Sequence, residues 1–271
     1  MALTELQKGV VRCLASNRSE TSYMAGGLVL NREWPRMSDD VDIFHDTDEE
    51  IGLAADADIE TLRAAGYAVF VEVEIYGCVE ASVSKDGEST LIQWMSESKT
   101  RFFPLIRDDE WGARLHQADL AVNKVIAAST RTKPRDFVDL VTIEERWCPL
   151  GPLVMAAAGK PPHFSPQKII DEFRRRGMSV GNEEYETVKG LPHEWNASVV
   201  RDRLVAALDA AERYILTAPF DAVGVLSVDG YGIPREVSSM EDPQVVFRKA
   251  TAEPEVMPNL ADAAQEWKPG W

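Results

Sequence analysis

A glycine pair and an acid-x-acid repeat stand close together in apolar sequence near the start of the chain. Met24-Ala25-Gly26-Gly27 is followed, after a short variable segment, by Arg36-Met37-Ser38-Asp39-Asp40-Val41-Asp42-Ile43-Phe44. Val41, Ile43 and Phe44 mark the second stretch as a buried strand, and side chains in a strand alternate faces. Asp40 and Asp42 therefore point the same way and Asp39 the other. Two carboxylates side by side on a buried strand repel each other and lose hydration, which is costly without a cation. Hard divalent ions such as Mg²⁺ are held by one or two carboxylates plus substrate phosphates, so the pattern points to a metal–nucleotide site. The glycines agree, because a Gly-Gly turn opening a helix lets backbone N–H groups and the helix N-terminus meet a phosphate. A lone Asp-x-Asp is more often a solvated strand end or a turn cap; the upstream glycines, with Arg36 and Ser38 between, lift this one above that reading.

Periodicity around this segment describes an α+β chain. Leu6, Val10, Val11 and Leu14 predict an amphipathic helix over 4–16. Ser22 to Ala25 reads as a short strand, Leu28 to Asn31 as the start of a helix, and Asp40 to Phe44 as the acidic strand. Asp48 to Ala65 reads as a helix with acidic residues in its first turn and Gly66 as its stop. Tyr67 to Ile75 alternates Val69, Val71, Val73 and Ile75 with Glu72 and Glu74, a half-buried strand. Val79 to Lys85 and Ser89 to Met95 flank Asp86-Gly87, a strong hairpin signal. Helices return at Ala118 to Ser129 and Arg135 to Arg146. Cys148-Pro149-Leu150-Gly151-Pro152 reads as a boundary, which divides the chain into domains 1–148 and 149–271. In the second, Pro166 to Arg176 and Ser198 to Leu216 are helices, and Ala222 to Val228 with Asp229-Gly230 resembles a short hairpin. Pro254 to Trp271 reads either as loose or as docked through Trp267 and Trp271.

Charge and composition limit the partners. A formal net charge of −16 repels a phosphate backbone on average, which argues against a general nucleic-acid binder. Two basic clusters could act locally, Arg131-Thr132-Lys133-Pro134-Arg135 and Arg174-Arg175-Arg176, although the second is better read as a solvated face. No apolar run approaches transmembrane length and the start lacks a signal-peptide pattern, so no membrane partner is expected. Cys13, Cys78 and Cys148 form no zinc spacing or disulfide framework, which makes a reducing cytoplasm the expected location. Lys124 lies among Ala121, Val122 and Val125 and must snorkel or find an anion.

At Gly26-Gly27 … Arg36-x-Ser38-x-Asp40-x-Asp42-x-Phe44 the chain resembles the DNA polymerase β nucleotidyltransferase superfamily, and within it the AbiEii toxin-type branch that includes the MenT-like toxins. Asp119-Leu120-Ala121-Val122-Asn123-Lys124 and Pro134-Arg135-Asp136-Phe137-Val138-Asp139-Leu140 are similar to that branch's Lys-bearing and Arg-Asp-x-x-Asp-Leu helices. Gln93-Trp94 … Arg101-Phe102-Phe103-Pro104-Leu105 also looks like a subgroup of it. The resemblance covers roughly residues 3 to 145.

The resemblance implies a polymerase β-like core, a small mixed sheet with flanking helices, followed by a mainly helical C-terminal region. It implies Mg²⁺, one ion or two, at Asp40 and Asp42, and an NTP substrate contacted by Gly26, Gly27, Arg36, Ser38 and Lys124. Arg36 would fix the loop or a phosphate, and Ser38 would donate to a phosphate. Asp136 would pair with Lys124 or position the acceptor, while Asp139 reads equally as a salt-bridge partner. The implied reaction moves an NMP from an NTP to an acceptor, tRNA or a protein hydroxyl, in a toxin-like role with a cognate antitoxin as partner. Transfer to an antibiotic-type small molecule and a non-catalytic nucleotide-binding interaction protein are the alternatives. One departure stands out. The superfamily's third carboxylate comes from a strand where this chain offers the neutral Gln93. Glu72, Glu74 and Glu97 are candidates to replace it, though none sits in a family motif; either Asp136 serves as base or the base is missing. His45 adjoins the acidic strand and could touch nucleotide, although a strand-end histidine is more often structural.

Overall fold

The computed structural model describes residues 3–253. Contacts divide the described residues into two compact units, one of residues 3–99 and 105–120, the other of 100–104 and 121–253. The division after Leu120 lies inside a helix and not at Cys148–Pro152. The reason is packing. Leu150 to Ala157 is itself a helix whose eight residues are all buried, so its proline and glycine do not mark a linker.

The first unit opens with α1 (Glu5–Leu14), closed at its start by a capping box between Thr4 and Gln7. β1 (Ser22–Ala25), α2 (Gly26–Leu30) and β2 (Asp40–His45) carry the glycine and aspartate motifs. α3 (Ile51–Ala64) follows, then β3 (Ala68–Ile75), β4 (Cys78–Lys85), β5 (Glu88–Ser96), β6 (Ile106–Asp108) and β7 (Gly112–Arg114). They form one seven-stranded mixed sheet in the order β3-β4-β5-β2-β1-β7-β6. β2 runs antiparallel to β1 and parallel to β5. The Asp86-Gly87 turn has positive φ at both residues, 52° and 85°, as a tight hairpin requires.

One sheet face is core. Val41, Ile43, Val79, Ala81, Val83, Ile92 and Trp94 are all buried there. The alternate residues Asp42, Phe44, Glu80, Ser82, Leu91 and Gln93 are half-buried and form the open face. Two expectations change here. α3 begins at Ile51, after the acidic residues expected in its first turn. In β3 a bulge between Val71 and Val73 shifts the register, so Val73 stands opposite Glu80 and Ile75 opposite Cys78. The apolar alternation therefore changes face midway, leaving Ile75 64% exposed.

Helix α4 (Gln117–Thr130) spans the division between the units. The second unit continues with α5 (Pro134–Arg146), α6 (Leu150–Ala157), α7 (Pro166–Ser179), α8 (Asn182–Glu186) and α9 (Ala197–Thr217). α9 packs on α5, α6 and α7. A two-stranded sheet of β8 (Val225–Val228) and β9 (Val246–Lys249) completes it. The expected hairpin at Asp229-Gly230 is present as a short return, with Val228 bridged antiparallel to Pro234 and backbone bonds from Asp229 N to the Ile233 carbonyl and from Arg235 N to the Ser227 carbonyl, while the strand partner of β8 is the distant 246–249 segment. The Arg174-Arg175-Arg176 cluster is neutralised locally, with Arg174 paired to Asp209 and Glu212 and both Arg175 and Arg176 to Glu172. Trp267 and Trp271 lie outside the described residues.

Candidate active site

The glycine turn and the acidic strand are built against each other. Ala25 pairs with Asp42 across β1 and β2, so the chain turns at Gly26 directly beside that carboxylate. Gly26 has φ of +70°, which favours glycine, and a Cβ there would fall 1.6 Å from Asp42 Oδ2. At Gly27 a Cβ would stand 2.5 Å from Arg36 Nη2 and 3.1 Å from Ser38 Oγ. Glycine is thus required at Gly26, while at Gly27 a side chain would have to displace the end of the Arg36 side chain. α2 has only five residues, too few for much of a dipole, so the turn offers backbone N–H groups more than a helix end.

Asp40 and Asp42 share the open face as the alternation requires. Ser38 Oγ donates to Asp40 Oδ1 at 2.9 Å, so its single proton serves that aspartate. Arg36, 2% exposed, donates from Nη1 to the Met37 carbonyl at 2.8 Å and from Nη2 to the Gly27 carbonyl at 3.4 Å. It braces the loop between the two motifs. From α1, the Gln7 side chain donates to the Ser38 carbonyl at 2.9 Å and to Thr90 Oγ1 at 3.3 Å, pinning the entry to β2 onto β5.

His45 lies on the other face of β2. It is fully buried, and among the described residues neither of its ring nitrogens has a hydrogen-bond partner. Burial first, then the Arg18 charge, pushes its pKa down to about 4, against the smaller opposing pull of Asp58. It is a neutral core side chain, not a nucleotide contact. Nearby, Asp58 takes the Arg18 guanidinium and the Trp94 indole N–H, the latter at 2.7 Å.

Across β5 the register supplies a carboxylate that the motifs do not. Gln93 is opposite Asp42 on one side and opposite Glu80 on the other, and its Nε2 donates to Glu80 Oε1 at 2.6 Å. Glu80 was absent from the expected candidates, yet the hairpin signal contained it. A two-residue turn at Asp86-Gly87 pairs Lys85 with Glu88, and counting back places Glu80 against Gln93. Glu72 and Glu74 lie on β3, the end strand of the sheet, and both are exposed.

The second unit brings together the other expected residues. Lys124 Nζ meets Asp136 Oδ1 at 2.7 Å and Asp139 Oδ2 at 3.0 Å, and Arg131 Nε donates to Asp136 Oδ2 at 2.8 Å. Both aspartates are wholly buried and Lys124 is 7% exposed. Burial alone would raise the Asp136 pKa, but the Lys124 and Arg131 charges and hydrogen bonds outweigh it and hold the carboxyl well below its ordinary range. A carboxylate held so firmly ionised is a poor proton acceptor, which disfavours Asp136 as a base. Asp139 is a full member of this cluster through the same lysine.

The mixed sheet with its flanking helices is the nucleotidyltransferase fold. Among solved structures the chain is similar to MenT4, a nucleotidyltransferase toxin from Mycobacterium tuberculosis, at 13% identity over 80% of this chain and 84% of that one, with a TM-score of 0.54. A candidate nucleotidyltransferase from H. pylori is similar at 15% identity over 79% of this chain and 98% of that one, with a TM-score of 0.45, too loose to argue from. At these identities the likeness is one of fold. No family model and no curated protein matches the sequence.

Proposed function

We propose that the protein is a Mg²⁺-dependent nucleotidyltransferase that moves an NMP from an NTP onto an acceptor hydroxyl. The observation that carries this reading is the seating of the Gly26 turn against the Asp42 carboxylate, where no side chain larger than hydrogen fits. That arrangement lets backbone N–H groups and two same-face carboxylates address one ligand, which suits a metal-bound phosphate. Among the described residues no group of three or more His, Cys, Asp or Glu could hold an ion by itself. Asp40 and Asp42 fit an ion whose remaining ligands are phosphate oxygens and water. Bound Mg²⁺ supplies neutralisation of phosphate charge and a template for in-line displacement.

The chain's own residues do the rest. Arg36 and Ser38 hold the loop and Asp40 in place, and the backbone at Gly26 and Gly27 receives the triphosphate. The acceptor oxygen bonds to the α-phosphorus, the bond to pyrophosphate breaks, and the hydroxyl proton passes to a carboxylate or to water. Within the second unit, Asp136 and Asp139 fix the position of the Lys124 ammonium. The fold shared with MenT4, a nucleotidyltransferase toxin, supports a toxin-like role, and the motif resemblance adds a cognate antitoxin as partner and tRNA or a protein hydroxyl as acceptor. The net charge of −16 favours a second reading, a small-molecule acceptor, since it repels RNA on average.

Incubation with each labelled NTP and Mg²⁺, with and without total tRNA, tests both. Label is expected on RNA or protein under the first reading and on neither macromolecule under the second. Asp42→Asn should remove most transfer while leaving stability unchanged or slightly raised, because like-charge repulsion is relieved. Full activity in Asp40→Ala/Asp42→Ala protein overturns the assignment.

A further inference from the structure

The open sheet face holds a side-chain pair that the two aspartates do not explain. Asp42, Gln93 and Glu80 stand in register on the adjacent strands β2, β5 and β4, about 4.8 Å apart strand to strand. The bond from Gln93 Nε2 to Glu80 Oε1, at 2.6 Å, fixes which way the amide faces. An ionised carboxylate only accepts hydrogen bonds, so the NH₂ end must be the end turned to Glu80. The carbonyl end is then turned from Glu80, and Oε1 has no hydrogen-bond partner among the described residues. Two oxygen acceptors, the Gln93 carbonyl and the Asp42 carboxylate, thus stand on neighbouring strands. A cation or a ligand that donates a hydrogen bond suits such oxygens, and an anion does not; with Asp42 given to the ion, the Gln93 carbonyl is left for a donor.

We propose that Glu80 is a positioning residue that locks the Gln93 amide so that its carbonyl accepts a hydrogen bond from the acceptor hydroxyl. The proposal rests on the nucleotidyltransferase reading above. It gives the neutral residue opposite Asp42 a purpose. A carboxylate at position 93 would add a third negative charge beside Asp40 and Asp42, whereas an amide offers an acceptor without that repulsion. Gln93 takes no proton. By holding the O–H it turns the oxygen lone pairs toward phosphorus, an orientational contribution, and the proton leaves to water as the new P–O bond forms and the bond to pyrophosphate breaks.

The test compares wild-type protein with Glu80→Gln and Gln93→Leu, using the acceptor that the transfer assay labels. Steady-state kinetics give the acceptor KM, calorimetry with Mg²⁺ gives the NTP Kd, and thermal melts give Tm. In both variants the acceptor KM should rise about five- to tenfold, the loss of one uncharged hydrogen bond, with NTP Kd and Tm unchanged. The double variant should be no worse than either single one. An unchanged acceptor KM overturns the proposal. So does a parallel weakening of NTP binding, which would make Gln93 a metal or phosphate ligand. Wild-type protein that binds NTP but transfers to nothing defeats the transferase reading instead. The pair is then judged by the NMR signals of the Gln93 side-chain amide, which should move on Glu80→Gln; identical signals in both proteins overturn it.

Discussion

Gly26 and Asp42 compete for the same space, and only the missing Cβ lets the carboxylate stay where it is. Gly26→Ala places a methyl on Asp42 Oδ2 and forces an L-residue into φ of +70°. The conformational part costs about 1–2 kcal/mol, and displacing the carboxylate by even an ångström can cost about a hundredfold in rate. Transfer should therefore fall by about two orders of magnitude while circular dichroism stays wild-type; retained activity contradicts the proposed site. Lys124 behaves differently, because it holds two buried aspartates. Lys124→Met should cost about 3–5 kcal/mol in urea unfolding, beyond any loss of NTP use. The same cluster sets an acid limit. The Asp136 pKa is lowered in the folded state, so its stabilisation is full above the unfolded carboxylate value, about 4, and is lost as pH falls below it. Asp136→Asn should be less stable at neutral pH and should show a shallower loss between about pH 4 and pH 2; an unchanged acid profile shows that the cluster does not carry this term.

At the scale of elements, register decides which side chains become neighbours. The Asp86-Gly87 turn fixes β4 against β5 and so places Glu80 beside Gln93. Gly87 has φ of 85°. Gly87→Val should destabilise the hairpin by about 1–2 kcal/mol and, if the register slips by one, turn Gln93 to the core face. Hydrogen exchange across residues 78–96 reads this directly, and unchanged protection counts against it. Much of this level was legible in the sequence. The strand at Ser22–Ala25 was readable from its residues, as were the acidic strand and the tight turn, since each depends on local chemistry. The bulge in β3 was not, because Val69, Val71, Val73 and Ile75 alternate perfectly and nothing local marks the extra residue. The pairing of β8 with β9 escaped for a related reason: it depends on a contact between distant segments, while Asp229-Gly230 supplied a plausible nearer partner. The shared face of Asp40 and Asp42, the turn at Gly26 and the anionic partners of Lys124 were legible by type and spacing. Glu80 was legible only through register, and the role of Ser38 as a partner of Asp40 depends on a loop conformation that no pattern specifies.

Over the whole molecule, the division of the chain determines what can be removed. Proline and glycine near residue 150 suggest a place to cut, but the second unit draws on both sides of it. Residues 100–104 belong to that unit, where Arg101 bridges Thr251 and Arg248 Nε donates to the Phe102 carbonyl at 2.7 Å. α5, which carries Asp136 and Asp139, packs on α6, α8 and α9. Eight consecutive residues of α5, Asp136 to Ile143, are buried. A truncation ending at Cys148 removes those three helices and exposes side chains such as Phe137 and Val141. Each large apolar side chain so exposed forfeits about 1.5–3 kcal/mol of burial. The loss of a few of them is comparable to the whole stability of a typical domain, about 5–15 kcal/mol. The 1–148 fragment is therefore expected to lose α5 and, with it, the Lys124–Asp136–Asp139 cluster. Its hydrogen exchange over 121–146 should approach that of unfolded chain, and it should not transfer nucleotide. Native-like protection of α5 in the fragment would show instead that the helix is held by the residues before it, and that the first 148 residues keep the Lys124 cluster without the rest.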